Sequence, residues 1–317
     1  MNEYDSQVAL GFLKEIAYEP VSREEEADVI LFNTCSVREH AEDRVYGRLY
    51  RLREMKAERP DLVIGLLGCM VEEHKEKLFQ KFPHLDLLCG TRNLKDLPLL
   101  VRKVKETRKQ TSRIKQEGLG IEYSESTVRR SNMHAYLPIM TGCDKHCTYC
   151  IVPLTRGPEV SMDVREVHQE AERLVSVGVK HITLLGQNVN SYGKNLPHNP
   201  SFARLLRILN DIDGLERISF TTSHPEDATQ ELFEAIRDSE KVSRRFHLAL
   251  QSGSNVVLKR MKRGHTIEEF QSQMVRLREI VPDISLTTDI IVGFPGETEE
   301  DHAATRMALE TLRFDGA

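Results

Sequence analysis

"HAYLPIMTGCDKHCTYC", residues 134 to 150, runs an apolar β-rich segment straight into three cysteines packed within eight residues. The apolar part reads as a strand and the cysteines as a loop at its C-terminal end. The same pattern recurs downstream in "HITLLG" (181 to 186), "RISFTT" (217 to 222), "FHLAL" (246 to 250) and "SLTTDIIVGF" (285 to 294). Helical segments follow from about Val164, from Phe202, around Leu232, from Ile267 and after the last strand. Five strand-helix units in one direction predict an open or partial parallel barrel with function at the C-terminal strand ends. Ala317 falls about where the last helix would finish, so no closing strand is expected.

Upstream, "DVILFNT" (28 to 34), "DLVIGLLG" (61 to 68) and "LDLL" (85 to 88) alternate with helical stretches from Val37 to about Arg59 and over "VEEHKEKLFQKF" (71 to 82). That alternation predicts parallel strands with crossover helices. The first element, Met1 to Ile16, reads as a helix with no strand before it. Between the two series, Arg102 to Arg130 holds nine Lys or Arg against four Glu, with few apolar residues, and marks a boundary. The expected α/β organisation is an open parallel α/β sheet domain over 1–104 lacking its first strand, a basic linker over 105–133, and an incomplete (β/α) partial barrel over 134–317. The linker reads as solvated, with a strip that meets a polyanion as the alternative.

With 39% hydrophobic and 29% charged residues and a net charge of -5 over 317 residues, the composition is that of an ordinary globular protein. No run approaches the roughly 20 apolar residues of a membrane span, and the N-terminus is polar, so a cytoplasmic protein with no membrane partner is expected. In that reducing setting the six cysteines are expected as metal ligands, catalytic thiols or buried apolar residues rather than disulfides.

Cys143, Cys147 and Cys150 follow the spacing C-x3-C-x2-C. A closed zinc site asks for four ligands, and here the fourth would be His146, between two of the cysteines where ring closure is tight. Three thiolates instead suit a 4Fe-4S cluster whose fourth iron stays open. The spacing, with Tyr149 at the aromatic position, resembles the signature of the radical S-adenosylmethionine (SAM) superfamily. The resemblance implies that SAM chelates the open iron and that an electron from the cluster cleaves its carbon-sulfur bond to a 5'-deoxyadenosyl radical. Polar, glycine-rich strand ends offer places for SAM: "GQNVNSYG" (186 to 193), "TTSHP" (221 to 225), "QSGS" (251 to 254) and "TTDIIVGFPGET" (287 to 298). Candidate contacts are Tyr149, Gly186, Gln187, Gln251, Ser252, Asp289 and Gly293.

Cys35, Cys69 and Cys89 each close an apolar run, at the edge where open α/β sheets bind ligands, and could form a second cysteine-held cluster. "NTCSVREHAEDRVYGRL", "GCDKHCTYCIVPLTRG", "LLGQNVNSYG", "FHLALQSGS" and "LTTDIIVGFPGETEEDH" are similar to the MiaB-type tRNA methylthiotransferases, over essentially the whole chain. The resemblance implies methylthiolation of carbon 2 of N6-isopentenyl adenosine in the anticodon loop of tRNA, with SAM and two 4Fe-4S clusters as cofactors. It implies an auxiliary cluster on three N-terminal cysteines, two of which match Cys35 and Cys69. The third lies in a family segment reading G-C-Q-M-N, two positions before the methionine that matches Met1. Truncation at both ends is therefore expected, with the third ligand before Met1, Cys89 a buried apolar residue, and a further strand-helix unit and RNA-binding barrel beyond Ala317; the alternative is that Cys89 replaces the third ligand. The alternatives are a sister methylthiotransferase acting on threonylcarbamoyl adenosine of tRNA or on a ribosomal protein aspartate, and a non-catalytic metal-binding module.

Met162, Ala249 and His265 stand where the family usually has Arg, Pro and Tyr; at Met162 a possible anion contact near the cluster loop is lost. "KRMKRGH" (259 to 265) reads as a solvated helix face, with contact to the tRNA backbone as the alternative. Asp144, Lys145, His146, Glu159 and His224 lie in or near the expected ligand loops. None is assigned as a general acid or base, because hydrogen-atom abstraction by a carbon radical needs none. An electron donor such as flavodoxin or ferredoxin is expected, and no sulfur donor is identified.

Overall fold

The computed structural model describes residues 1–36, 39–114, 121 and 127–317. The chain divides into two compact units, Met1–Arg130 with Ile151–Pro158, and Ser131–Cys150 with Glu159–Ala317.

The first unit holds a parallel sheet in the order β1 (Val29–Thr34), β2 (Val63–Gly68), β3 (Leu87–Cys89), β4 (Thr111–Arg113). Its helices are α1 (Asn2–Lys14), α2 (Glu39–Glu58), α3 (Cys69–His74), α4 (Lys77–Lys81), α5 (Leu97–Thr107) and α6 (Val152–Thr155). β2 is buried at every position, which is why it reads as an unbroken apolar run. Leu49 and Leu52 of α2 share one core with Leu62, Ile64, Leu66 and Phe82. The Phe82 ring is fully buried, with the rings of Tyr46 and Tyr50 at 5.4 and 5.2 Å. Lys56 reaches Asp86 at 2.8 Å, and Asp86 also accepts the Ile64 N–H at 2.7 Å, so this largely buried charge is paired.

Two expectations change here. The single helix expected over 71–82 is two, because Lys75 takes a left-handed φ of 50° between α3 and α4. Within the stretch read as linker, β4 pairs with β3; residues 115–120 and 122–126 of that stretch lie outside the described residues.

In the second unit β5 (His134–Pro138) pairs with β8 (His181–Leu185) and β8 with β9 (Arg217–Phe220), all parallel. β6 (Met140–Thr141) and β7 (Val160–Ser161) form a short antiparallel pair. β10 (Arg245–His247) pairs in parallel with β11 (Ser285–Thr287), and the bridges Ile218↔Val242 and Ser223↔Leu248 continue the parallel order from β9. This is the expected partial barrel. The helices between strands are α7 (Val164–Ser176), α8 (Phe202–Asn210), α9 (Gln230–Asp238), α10 (Asn255–Arg260), α11 (Ile267–Ile280) and α12 (Glu299–Leu312).

Each of these helices starts on a side-chain cap: Asp163, Ser201, Thr229, Ser254, Thr266 and Thr298, the last two in capping boxes with Glu269 and Asp301. Six-residue α10 is too short for a periodic pattern and escapes the sequence reading. No closing strand is expected after α12, yet the Asp315 N–H donates to the Leu286 carbonyl at 2.8 Å and Gly316 bridges Thr287 in parallel. Arg313, at a left-handed φ of 49°, ends α12 and turns the chain back to the sheet. Rings of Phe202, Phe220 and Phe246 meet edge to face through the core at 5.1 and 5.8 Å. Among the described residues no helix is long and apolar enough to cross a membrane.

Phe82→Ala would empty a site with no solvent access and cost about 3–5 kcal/mol of stability. Urea unfolding should show it as a lower midpoint with an unchanged slope.

Candidate functional site

From Gly142 to Cys150 the backbone forms neither helix nor strand. Such a stretch must find its hydrogen-bond partners elsewhere. The Gly142 N–H donates to Gln187 Oε1 at 2.7 Å, beyond β8. Asp144 accepts the Glu159 N–H at 3.0 Å, and Glu159 accepts the Ser191 hydroxyl at 2.6 Å. Lys145 pairs with Glu226 and, at 3.2 Å, with Asp227, beyond β9. Thr148 donates its N–H to the Met261 carbonyl and its hydroxyl to the Arg260 carbonyl, both at 3.1 Å. Arg263 donates to Cys147 Sγ at 3.3 Å and to the Ala249 carbonyl at 2.6 Å.

These contacts set the electrostatics. Burial would raise the Asp227 carboxyl, but hydrogen bonds from Lys194 and Asn188 and the charges of Lys145 and Lys194 hold it below its usual range. Burial would lower Lys145, and its bonds to Glu226 and Asp227 raise it instead. Burial lifts Glu159, helped by Asp144 and opposed by the Ser191 bond. Burial, then the charges of Arg263 and Lys145, depress His224 to about 2, so its ring is neutral. The Cys143 thiol is pushed up to about 11 by burial, with Cys150, Glu159 and Cys147 adding to it; metal binding there must displace a proton.

The donor set fits a cluster held by three cysteines. Three thiols share one irregular loop, a buried guanidinium faces one of them, and buried polar atoms without partners lie at the strand ends: Thr141 Oγ1, Ser223 Oγ, His224 Nε2 and Gln251 Oε1. Thr222 and Gln251 adopt left-handed φ values of 64° and 74°. For a β-branched threonine this is costly, and such strain collects where ligands are bound.

The expected SAM contacts separate on this geometry. Gln187 ties down the loop, Gln251 keeps a free buried oxygen, and Tyr149 is 38% exposed. Ser252 is fully buried and bonded to Thr305 at 3.2 Å, and a Cβ on Gly253 would meet the Ala304 carbonyl; the "QSGS" turn lets α12 approach rather than opening toward a ligand. Gly186 is packed under Met140. Asp289 is exposed, 3.3 Å from His247, and the Gly293 N–H is taken by Glu297 at 2.6 Å. Met162 is buried, its carbonyl accepting the Tyr192 hydroxyl at 2.7 Å. In "KRMKRGH" Lys259, Arg260 and Lys262 are exposed, but Arg263 is 4% exposed, so the run is not simply a solvated face. The sequence reading missed Arg263, Asp227, Asn188 and Glu226 as holders of the loop; "SHPED", a polar run straight after a strand, was the available signal.

In the first unit Thr34 pairs with Gly68, so Cys35 and Cys69 follow adjacent strand ends at the same level. Gly68, at φ 93°, makes a turn in which a Cβ would meet the Thr34 carbonyl, and the Thr34 hydroxyl accepts the Met70 N–H at 3.3 Å. Cys89 pairs with Leu67, two positions short of Cys69, and is fully buried with its thiol donating to the Asn93 carbonyl at 3.1 Å. Arg156, buried, pairs with Asp5 at 2.5 Å; burial would lower it, and Asp5 and the Cys69 sulfur raise it. Cys35 and Cys69 thus follow neighbouring strand ends, both half-buried, while Cys89 is buried further back along its strand.

A parallel partial barrel with a three-thiol loop at its C-terminal edge defines a radical SAM protein, and residues 137–308 match the Radical SAM superfamily. Residues 1–90 match the Uncharacterized protein family UPF0004. Among solved structures, the radical SAM methyltransferase TsrM from Kitasatospora setae, with tryptophan substrate and a SAM analog bound, is similar at a TM-score of 0.67 and 15% identity, covering 98% of this chain and 68% of that one. The cobalamin-dependent SAM radical enzyme OxsB is similar at 0.65 and 16%, covering 97% of this chain and 49% of that one. At these identities the likeness is one of fold. The tRNA-2-methylthio-N(6)-dimethylallyladenosine synthases of Desulforamulus reducens and Thermoanaerobacter pseudethanolicus are 44% and 46% identical over all of this chain, which covers 70% and 68% of their length. The chain belongs to the family of these synthases, and that membership implies SAM and 4Fe-4S clusters as cofactors.

Cys89→Ala should leave iron and sulfide per chain unchanged after anaerobic loading, whereas Cys35→Ala or Cys69→Ala should lower them. His224 stays neutral in the native state, while in the unfolded chain it takes a proton below pH ~6.5. Its contribution to stability is therefore complete above that pH and is lost as pH falls, by about 1 kcal/mol per pH unit. Urea unfolding at pH 7 and pH 5.5 should show the drop, and His224→Gln should make it shallower.

Proposed function

We propose that this chain is a radical SAM methylthiotransferase that places a methylthio group on carbon 2 of N6-isopentenyl adenosine, beside the anticodon of tRNA. The observation that carries the reading is 44–46% identity along the entire chain to synthases of that name, with the three-cysteine loop at the strand ends where the reaction would need it. Cys143, Cys147 and Cys150 would hold the radical-generating cluster, and Cys35 and Cys69 would contribute to an auxiliary one. When bound, the cluster supplies an electron and SAM supplies a carbon radical and a methyl group.

The chain's own residues bind and orient. Gln187, Asp144 with Glu159, and Lys145 with Glu226 and Asp227 keep the loop in place. Gln251 and Thr141 offer buried oxygens to a polar ligand at the same edge. The target base sits in a stacked anticodon loop, so it must be turned out of the stack to be reached. Exposed Lys259, Arg260 and Lys262 are suited to its phosphates, a contact that weakens with salt. A flavodoxin or ferredoxin is the proposed electron donor and the cytoplasm the proposed compartment.

After anaerobic loading with iron and sulfide, the protein should be brown and cleave SAM, and Cys143→Ala, Cys147→Ala or Cys150→Ala should abolish cleavage. A colourless protein holding zinc would refute the reading. Mass spectrometry of tRNA from a strain lacking the gene should show the isopentenyl adenosine without its methylthio group; persistence of the modified base would exclude this substrate.

A further inference from the structure

We propose that Arg263 is a positioning residue for the cluster held by Cys143, Cys147 and Cys150, fixing the Cys147 sulfur and easing the entry of an electron. The inference rests on the reading of that loop as a cluster site.

Arg263 is 4% exposed, in a run whose other cations point outward. The backbone turns it inward: Lys262 and Gly264 on either side take left-handed φ values of 55° and 69°. A Cβ at position 264 would meet only the movable end of the Glu226 side chain, but at φ 69° any side chain is strained, so the turn favours glycine. Once inside, Nη1 donates to Cys147 Sγ at 3.3 Å, Nη2 donates to the Ala249 carbonyl at 2.6 Å, and Nε has no partner. Neither acceptor is a carboxylate.

A buried guanidinium is costly unless an anion accompanies it. Of its two acceptors, only the sulfur can become anionic, and it does so when it ligates a metal. The rigid fork, anchored at Ala249, then holds a donor against the Cys147 sulfur. Hydrogen bonds to cysteinyl sulfur, burial and net charge are the levers by which a protein sets an iron-sulfur potential. A reduced cluster carries one more negative charge than an oxidised one, so a fixed cation beside it favours the reduced form. The sequence hides this role, because Arg263 is the fourth cation of a run that reads as surface.

The test is a redox titration of the loaded protein followed by electron paramagnetic resonance. At equal iron and sulfide per chain, Arg263→Gln should disfavour reduction by about tenfold, a shift of ~59 mV to lower potential for a one-electron couple. Arg263→Lys, which keeps the charge, should lie closer to the parent. Arg263→Gln titrating at the parent potential, or Arg263→Lys shifting as far as Arg263→Gln, would overturn the proposal. A second measurement needs no variant: with arginine labelled by nitrogen-15, pulsed resonance of the reduced parent should show a guanidinium nitrogen coupled to the cluster, and no coupling would also overturn it. Failure of the cluster reading is distinct, since the parent would then stay colourless.

Discussion

A loop of irregular backbone has to hold three sulfurs in fixed places with no hydrogen-bond ladder of its own, and most of the second unit is arranged around that constraint. The anchors arrive from different strands: Gln187 and Ser191 after β8, Glu226 and Asp227 after β9, Ala249 through Arg263 after β10. Only a sheet whose strands all point one way brings that many C-terminal ends to a single edge. The parallel order is therefore a requirement of the loop as much as a way of burying a core.

The anchors are charged or polar and mostly buried, so each must be satisfied by another. Asp227 receives Asn188 at 2.8 Å as well as Lys145 and Lys194, and Asn188 also accepts the His224 N–H at 3.0 Å. Such a network is favourable only when complete. Gln251 Oε1, Thr141 Oγ1 and Ser223 Oγ, at or just after strand ends, are among the buried polar atoms left without a partner. Left-handed Thr222 and Gln251 fall on the same edge. Unpaired polar atoms and strained backbone tend to accumulate where a fold accepts a ligand.

The architecture was legible because hydrophobic runs and caps are local signals. The strands "HITLLG" and "RISFTT" and the helices beginning at Val164, Phe202 and Ile267 are where the pattern places them. The cysteine loop was legible too, since its spacing is chemical and local. Its clamps were not. Lys145 bonding Glu226 joins residues far apart in sequence, and nothing in either neighbourhood announces the other. Arg263 was misread for a related reason: one left-handed residue and one glycine decide that it turns in while Arg260 stays out. Ser252 and Gly253 were legible as a tight approach, but whether helix or ligand approaches is a tertiary fact.

The two units place a buried arginine beside a cysteine in different ways. Arg156 has a carboxylate of its own, Asp5 at 2.5 Å, and the Cys69 sulfur is an additional neighbour. Its charge is balanced whether or not Cys69 is ionised, so it can order the strand ends near Cys69 before anything binds. Among the described residues Arg263 donates to a carbonyl and to the Cys147 sulfur, neither of them a carboxylate. Its balance depends on the state of that sulfur, and a charge that is matched only in one state favours that state. The same side chain is thus a fixed strut in one setting and a source of differential stabilisation in the other, and the difference comes from whether a carboxylate stands beside it.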